Sequence, residues 1–135
     1  MDKMKAVIFT LAVLMGICLF GQQPADFAVR DIRIGLDGFL EILLENLSSY
    51  PVPVSKDQEE KTFLTVYIQD ERRAEYKLKY MPPGLFFPRG KAIWKTNFRF
   101  NHRVRVRTEI NLPAVIAETI VENNRLAKIL APHNE

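Results

Sequence analysis

The stretch that decides the fold is residues 91–110, KAIWKTNFRFNHRVRVRTEI. Ala92, Trp94, Thr96, Phe98 and Phe100 fall on one phase of a two-residue repeat, and Lys91, Lys95, Asn97 and Arg99 fall on the other. After Asn101-His102 the pattern resumes, with Val104, Val106, Thr108 and Ile110 set against Arg103, Arg105, Arg107 and Glu109. Successive side chains of a strand point to opposite faces, so this period predicts two half-buried strands joined by a short turn. Trp94 is expected at the centre of the core, because it is the largest side chain on the apolar phase.

The same period extends in both directions. Leu40, Ile42 and Leu44 alternate within residues 39–46, and Asp37-Gly38 before them suits the positive φ of a hairpin turn. Phe27 and Val29 lie on one phase while Ile32 and Ile34 lie on the other, which requires a slip of one residue near Arg30 and Asp31, as at a β-bulge. Residues 63–69, FLTVYIQ, are apolar on both phases and read as a central strand. Ala74, Tyr76, Leu78 and Tyr80 alternate against charge until Pro82-Pro83-Gly84 stops the run. Residues 46–60 carry Pro51, Pro53 and the charged run Lys56-Asp57-Gln58-Glu59-Glu60, and are expected to form an exposed loop whose charges guard a sheet edge. Residues 112–124 are irregular, and residues 125–130, RLAKIL, supply a last strand. The fold class predicted is all-β: an immunoglobulin-like sandwich of about seven antiparallel strands, at about 110 residues the size of that fold.

The chain has 135 residues and a formal charge of +3, with 47% hydrophobic and 26% charged residues, a composition that excludes disordered, collagenous and polytopic membrane proteins. Lys3 and Lys5 precede a charge-free run at residues 6–20, AVIFTLAVLMGICLF, followed by Gly21, Gln22, Gln23 and Pro24. This reads as a secretory signal at 1–21, with Leu19 and Gly21 at positions −3 and −1 of the cut. The expected organisation is a cleaved leader at 1–21, one domain at 22–131 and a flexible tail at 132–135. Removing Asp2, Lys3 and Lys5 with the leader leaves a net charge of +2. The single cysteine, Cys18, lies in the leader, so the exported domain has no thiol and must be stabilised by its core. Cys18 is also a candidate for lipidation, although of the preceding Met15, Gly16 and Ile17 only Gly16 fits a lipoprotein signal well.

Several of these segments together resemble a known family. They are the opening PADFAVRDI at residues 24–32, the Asp37-Gly38 turn leading to Glu45-Asn46, the strand within residues 63–68, and the close VIAETIVENN at residues 115–124. The chain resembles CARDB domains, the cell-adhesion-related domains found in bacteria, over nearly all of the exported part. The most specific likeness is a closing turn carried by Ile116, Glu118, Asn123 and Asn124. The chain departs from the family pattern at Asn46-Leu47-Ser48 and at Asn111-Leu112-Pro113, which stands where an Asp-rich turn is usual. The resemblance implies a secreted, non-catalytic immunoglobulin-like module of a bacterial surface.

Candidate sites follow from the residues themselves. Glu118, Glu122, Asn123 and Asn124 offer oxygen ligands, but the set is incomplete for calcium, and a structural turn with Glu118 accepting backbone hydrogen bonds explains it as well. No metal or other cofactor is expected. Arg103, Arg105 and Arg107 share one strand face at a spacing of about 6.5–7 Å, and with Lys95 and Arg99 on a neighbouring strand they form a candidate anion- or partner-binding face. The bland alternative is a solvated sheet face balanced by Glu41, Glu45, Glu71, Glu75 and Glu109. Phe86 and Phe87, between Gly84 and Pro88, are candidate loop contacts for a carbohydrate, or a plug at the end of the sandwich. Ser48, Ser49, Ser55, His102 and His133 do not compose a nucleophilic triad, so no enzyme is expected. The function expected is a binding or assembly module of the cell envelope, periplasmic or extracellular. It would present loops or an edge strand to an envelope protein or polysaccharide. The alternatives are a lipoprotein held through Cys18 and an acidic-polysaccharide-binding accessory domain. No nucleic-acid partner is expected, and membrane contact only through the leader or a lipid anchor.

Overall fold

The computed structural model describes residues 24–118 and 120–133. The expected leader at 1–21 with Cys18, and the last two residues of the tail, lie outside the described residues. Seven strands build two antiparallel sheets: β1 (Phe27–Ile34), β2 (Phe39–Asn46), β3 (Thr62–Ile68), β4 (Glu71–Lys77), β5 (Lys91–Arg99), β6 (Val104–Ile110) and β7 (Arg125–Leu130). One sheet has the order β1-β2-β5 and the other β4-β3-β6-β7. This is the predicted immunoglobulin-like sandwich. The slip in β1 falls between Val29 and Asp31, and the β1–β2 turn closes at Gly38, whose φ of +88° favours glycine.

The core forms where the apolar phases of the two sheets face each other. Leu40, Ile42 and Leu44 from β2 meet Leu64, Val66, Val104, Val106 and Ile110 from the other sheet, all buried. Its centre is not Trp94 but Phe27 and Phe63, whose rings meet edge to face with centroids 5.2 Å apart. Trp94 sits on the edge strand β5 and is only partly buried. Its ring packs 5.0 Å from that of Tyr76 on β4, and the pair closes the open side between the sheets.

Two further expectations are corrected. The charged run in residues 46–60 contains a short helix, α1 (Lys56–Glu59), because Ser55 and Gln58 form a capping box: the Gln58 N–H donates to the Ser55 hydroxyl and the Ser55 N–H donates to the Gln58 side chain. Of those charges Glu60 reaches the edge strand β4, where its carboxylate lies 2.9 Å from Lys77 Nζ; β4 is itself rich in charge. Tyr80 does not continue the alternation inward, because the chain turns into a 3₁₀ turn (Leu78–Tyr80) that leaves its ring 60% exposed. The tail is docked as far as it is described: Pro132 is buried, and His133 Nε2 lies 2.9 Å from the Ile34 carbonyl and 3.0 Å from that of Gly35.

The strand directions sort the loops into two poles. The β1–β2, β3–β4 and β5–β6 turns gather with His133 at one end. Residues 24–26, 46–48, 85–90 and 111–118 gather at the other.

Candidate functional site

Ile116, Glu118, Asn123 and Asn124 are brought together at the second pole, around a residue that sequence reasoning treated only as a departure, Asn111. Asn111 is fully buried with φ +56°, and its side chain replaces a missing turn of backbone. Its Oδ1 accepts the N–H groups of Val115 and Ile116 at 2.8 and 2.9 Å, while its Nδ2 donates to the Ile116 carbonyl at 2.7 Å and to Glu118. Glu118 in turn accepts the Phe27 N–H at 2.6 Å and the Asn124 amide, so one carboxylate ties the start of β1 to the closing loop. A parallel bridge between Ala25 and Glu118 and the Ala25 N–H donating to the Ala117 carbonyl complete the clasp. Asn123 donates to Asp26 at 3.0 Å, Ile116 is buried, and Glu122 is exposed. Burial pushes the Glu118 carboxyl above the ordinary value of 4.5, against the lowering pull of its three N–H donors. Three N–H groups converge on this carboxylate and engage both of its oxygens, Phe27 on Oε1 and the amides of Asn111 and Asn124 on Oε2.

The outer face of the four-stranded sheet carries the second constellation. Cross-strand partners share a face, so the registers of β3, β4, β6 and β7 align Arg72, Tyr67, Arg107 and Ala127 in one row across the sheet. Arg107 Cζ lies 4.0 Å from the centroid of the Tyr67 ring, a cation–π contact that fixes the guanidinium. The neighbouring rows hold Arg105 beside Ile129, which is 63% exposed, and Glu109 beside Arg125. The carboxylates here stand off: Glu109 is 3.9 Å from Arg107 and 3.8 Å from Arg125, and Asp70 is 3.8 Å from Arg105. These distances exceed a hydrogen bond, whereas Arg72 at the sheet edge is paired with Glu75 in direct contact. Tyr67, Arg72, Ala127 and Arg125 were not read from the sequence as part of this face; only the register of three neighbouring strands reveals them.

Lys95 and Arg99 are not part of it. They lie on β5, in the other sheet, because that strand crosses over to pair with β2. Lys95 pairs with Asp37 and holds its carboxyl below the usual range, while Arg99 donates to the Asp37 carbonyl and covers the Phe39 ring at 4.5 Å. Both brace the β1–β2 turn. On this outer face the charges are closed at contact distance, Arg33–Glu41 at 2.9 Å and Arg30–Glu45 at 3.1 Å. Arg103 precedes β6 and is exposed.

The loop aromatics separate. Phe86 turns inward against Phe27 and Phe63, with centroids 5.8 and 5.9 Å away, and plugs the second pole; Phe87 is 63% exposed. The backbone packs tightly at this corner, where a Cβ on Gly90 would come within 1.9 Å of the Gly84 carbonyl oxygen. The hydroxyls and imidazoles are engaged separately: Ser48 Oγ accepts the Asp26 N–H, Ser55 caps α1, His102 pairs with Asn101, and His133 bonds the β1–β2 turn. Among the described residues no group of three or more His, Cys, Asp and Glu is placed to hold a metal ion.

No family model and no curated protein matches the sequence. Among solved structures, the crystal structure of the CARDB domain of a Pyrococcus furiosus protein, in complex with di-metal ions, aligns with a TM-score of 0.56 at 15% identity, covering 80% of this chain and 93% of that one. The solution NMR structure of that domain aligns at 0.49 with 13% identity, covering 80% and 91%. At 15% identity the crystal structure establishes likeness of fold: the protein is a CARDB-like immunoglobulin-type β-sandwich.

Proposed function

We propose that the protein is a non-catalytic binding module exported to a bacterial cell envelope, and that it holds an acidic polysaccharide on the outer face of its four-stranded sheet. The charge-free run at residues 6–20 behind Lys3 and Lys5 supports export. The observation that carries the binding reading is Arg107, stacked on Tyr67 and flanked by Arg105 and Arg125, whose nearest carboxylates, Glu109 and Asp70, stand 3.8–3.9 Å off. Arginine offers a planar fork of donors that matches a carboxylate in two contacts, and a β-sheet holds such forks in a fixed array at little entropic cost. Ala127, small and exposed between Arg125 and Ile129, stands directly opposite Arg107 and puts no bulky side chain beside its guanidinium.

Retention on an immobilised polyuronate tests the reading. The protein is expected to bind at low salt and to elute as salt rises, and Arg105→Glu is expected to weaken binding about tenfold. Failure of the wild-type protein to bind at low salt contradicts the proposal.

A further inference from the structure

We infer that the second pole is the membrane-facing end of the domain, and that it rests on a lipid bilayer through Phe87, Ile120 and Val121, with Tyr80 on the same pole. The inference rests on the reading of residues 6–20 as a membrane-directed segment and is independent of the polysaccharide reading. Among the described residues seven large apolar side chains stand exposed, and four of them, Tyr80, Phe87, Ile120 and Val121, lie beyond strand ends at this pole, whereas the opposite pole shows one, Leu36. Asp26 joins the segments that carry them. Its N–H donates to Ser48 Oγ, and the Ser48 carbonyl accepts the Arg89 N–H, two residues from Phe87; its carboxylate accepts the Asn123 amide, two residues from Val121. Tyr80 ends the 3₁₀ turn after β4, and the Leu78 N–H of that turn donates to the Lys61 carbonyl just before β3. Exposed apolar groups gathered at one end of a domain mark a surface that meets something other than water.

The chain that precedes the described residues says what covers it. No charged side chain occurs between Lys5 and Asp26, and only Gly21, Gln22 and Gln23 separate the apolar run 6–20 from Pro24, a span of at most about 14 Å. Pro24 is already at this pole, where its carbonyl accepts the Tyr50 hydroxyl, and Ala25 is buried with its N–H donating to the Ala117 carbonyl, so the fold adds no slack. A helix as long as that run is about 22 Å, short of the hydrocarbon core of about 30 Å, and a bilayer meets a short segment by thinning around it, which brings the pole closer still. Leu19 is not the small residue that a cut after Gly21 favours, and the inference takes residues 6–20 as retained. Lys56, Arg89 and Lys91 are balanced at this pole by Asp57, Glu59 and Glu122, so the attraction is apolar and depends little on salt. The strands then rise away from the bilayer, and the arginine face stands clear of it.

The full chain, leader included, in vesicles of phosphatidylethanolamine and phosphatidylglycerol with brominated acyl chains tests the inference, because bromine quenches a tryptophan that it contacts. Trp94, on a strand between the poles, provides the baseline. Phe87→Trp and Leu36→Trp each add one indole at an exposed position, one on each pole. The emission added at position 87 is expected to fall by at least about half, because an interfacial side chain buries about 5–10 Å into the lipid boundary, and the emission added at position 36 is expected to stay unchanged. Val121→Asp combined with Phe87→Trp is expected to relieve the quenching, since a carboxylate resists entry into lipid. Thermal melts check that the variants fold. Arg105→Glu weakens polyuronate retention and is expected to leave the quenching as it was, so the two readings fail separately. Absence of quenching at position 87, equal quenching at 87 and 36, or full quenching that survives Val121→Asp overturns the inference. So does recovery of the chain from cells as a soluble product beginning at Gln22, because the tether is then lost.

Discussion

Arg107 and Tyr67 stand directly opposite each other on β6 and β3, with the guanidinium carbon 4.0 Å from the centre of the phenol ring. The contact sits in the middle of an exposed sheet face, where an unstacked arginine would sample many rotamers. Stacking restrains a charge that would otherwise be solvated and mobile; Arg99 over Phe39 does the same on the other sheet, but there the guanidinium is spent on the Asp37 carbonyl.

Tyr67→Leu therefore tests the stacking itself. It removes the ring but keeps an apolar side chain on the strand, and is expected to lower stability by about 0.5–1.5 kcal/mol while lowering the salt concentration at which the protein leaves a polyuronate resin. Denaturant titration gives the first quantity and gradient elution the second. Unchanged elution would mean that Arg107 needs no support from the ring.

Asn111 is the position where a single substitution should cost most. Asn111→Ala removes bonds to Val115, Ile116 and Glu118 and places a Cβ-bearing, side-chain-unsupported residue at φ +56°. A loss of about 3 kcal/mol or more is expected, since each buried group left unpaired costs about 1–3 kcal/mol. Asn111→Gly loses the same bonds but tolerates the backbone conformation, and should be about 1 kcal/mol less damaging. Equal losses for the two would show that the conformation contributes nothing.

The clasp carries a pH dependence of unusual sign for a carboxylate. Glu118 has its folded-state value raised by burial, so its contribution to stability is fully present below about pH 4 and is lost as pH rises through the raised value. Asp31, Asp37 and Glu60 behave oppositely: Lys128, Lys95 and Lys79 with Lys77 hold them low, and their contribution disappears only as pH falls below the ordinary carboxylate range. Between about pH 7 and pH 5, the stability of the wild type relative to Glu118→Gln is expected to increase on acidification. Urea midpoints of both proteins across that range check the sign, and a difference that shrinks on acidification contradicts it.

The strands were legible because period two is local. The alternation of residues 91–110, the slip at Arg30 and the Asp37-Gly38 turn each depend on neighbours in sequence, and each stands where its pattern placed it. The helix α1 was also written locally, in Ser55 and Gln58, but its charged residues read equally as solvated loop. What could not be read is which strand lies beside which. Lys95 and Arg99 have the parity of Arg105 and Arg107, yet the crossover of β5 to β2 sends them to the opposite face. Asn111 and Phe86 draw their roles from partners on remote strands, Glu118 and Asn124 for the first, Phe27 and Phe63 for the second.

The central claim, that one face of the sandwich is built to hold an acidic chain, is tested most directly by a charge-matched comparison. Arg105→Glu on the four-stranded sheet and Lys91→Glu on the other sheet change the net charge equally and touch no core residue. Their affinities for a soluble polyuronate, measured at two salt concentrations, separate a site from a general attraction. The account predicts that Arg105→Glu loses about tenfold in affinity and flattens the salt dependence, while Lys91→Glu stays within about twofold of the wild type. Equal losses for the two variants would contradict it, because binding would then follow net charge and not the arginine face.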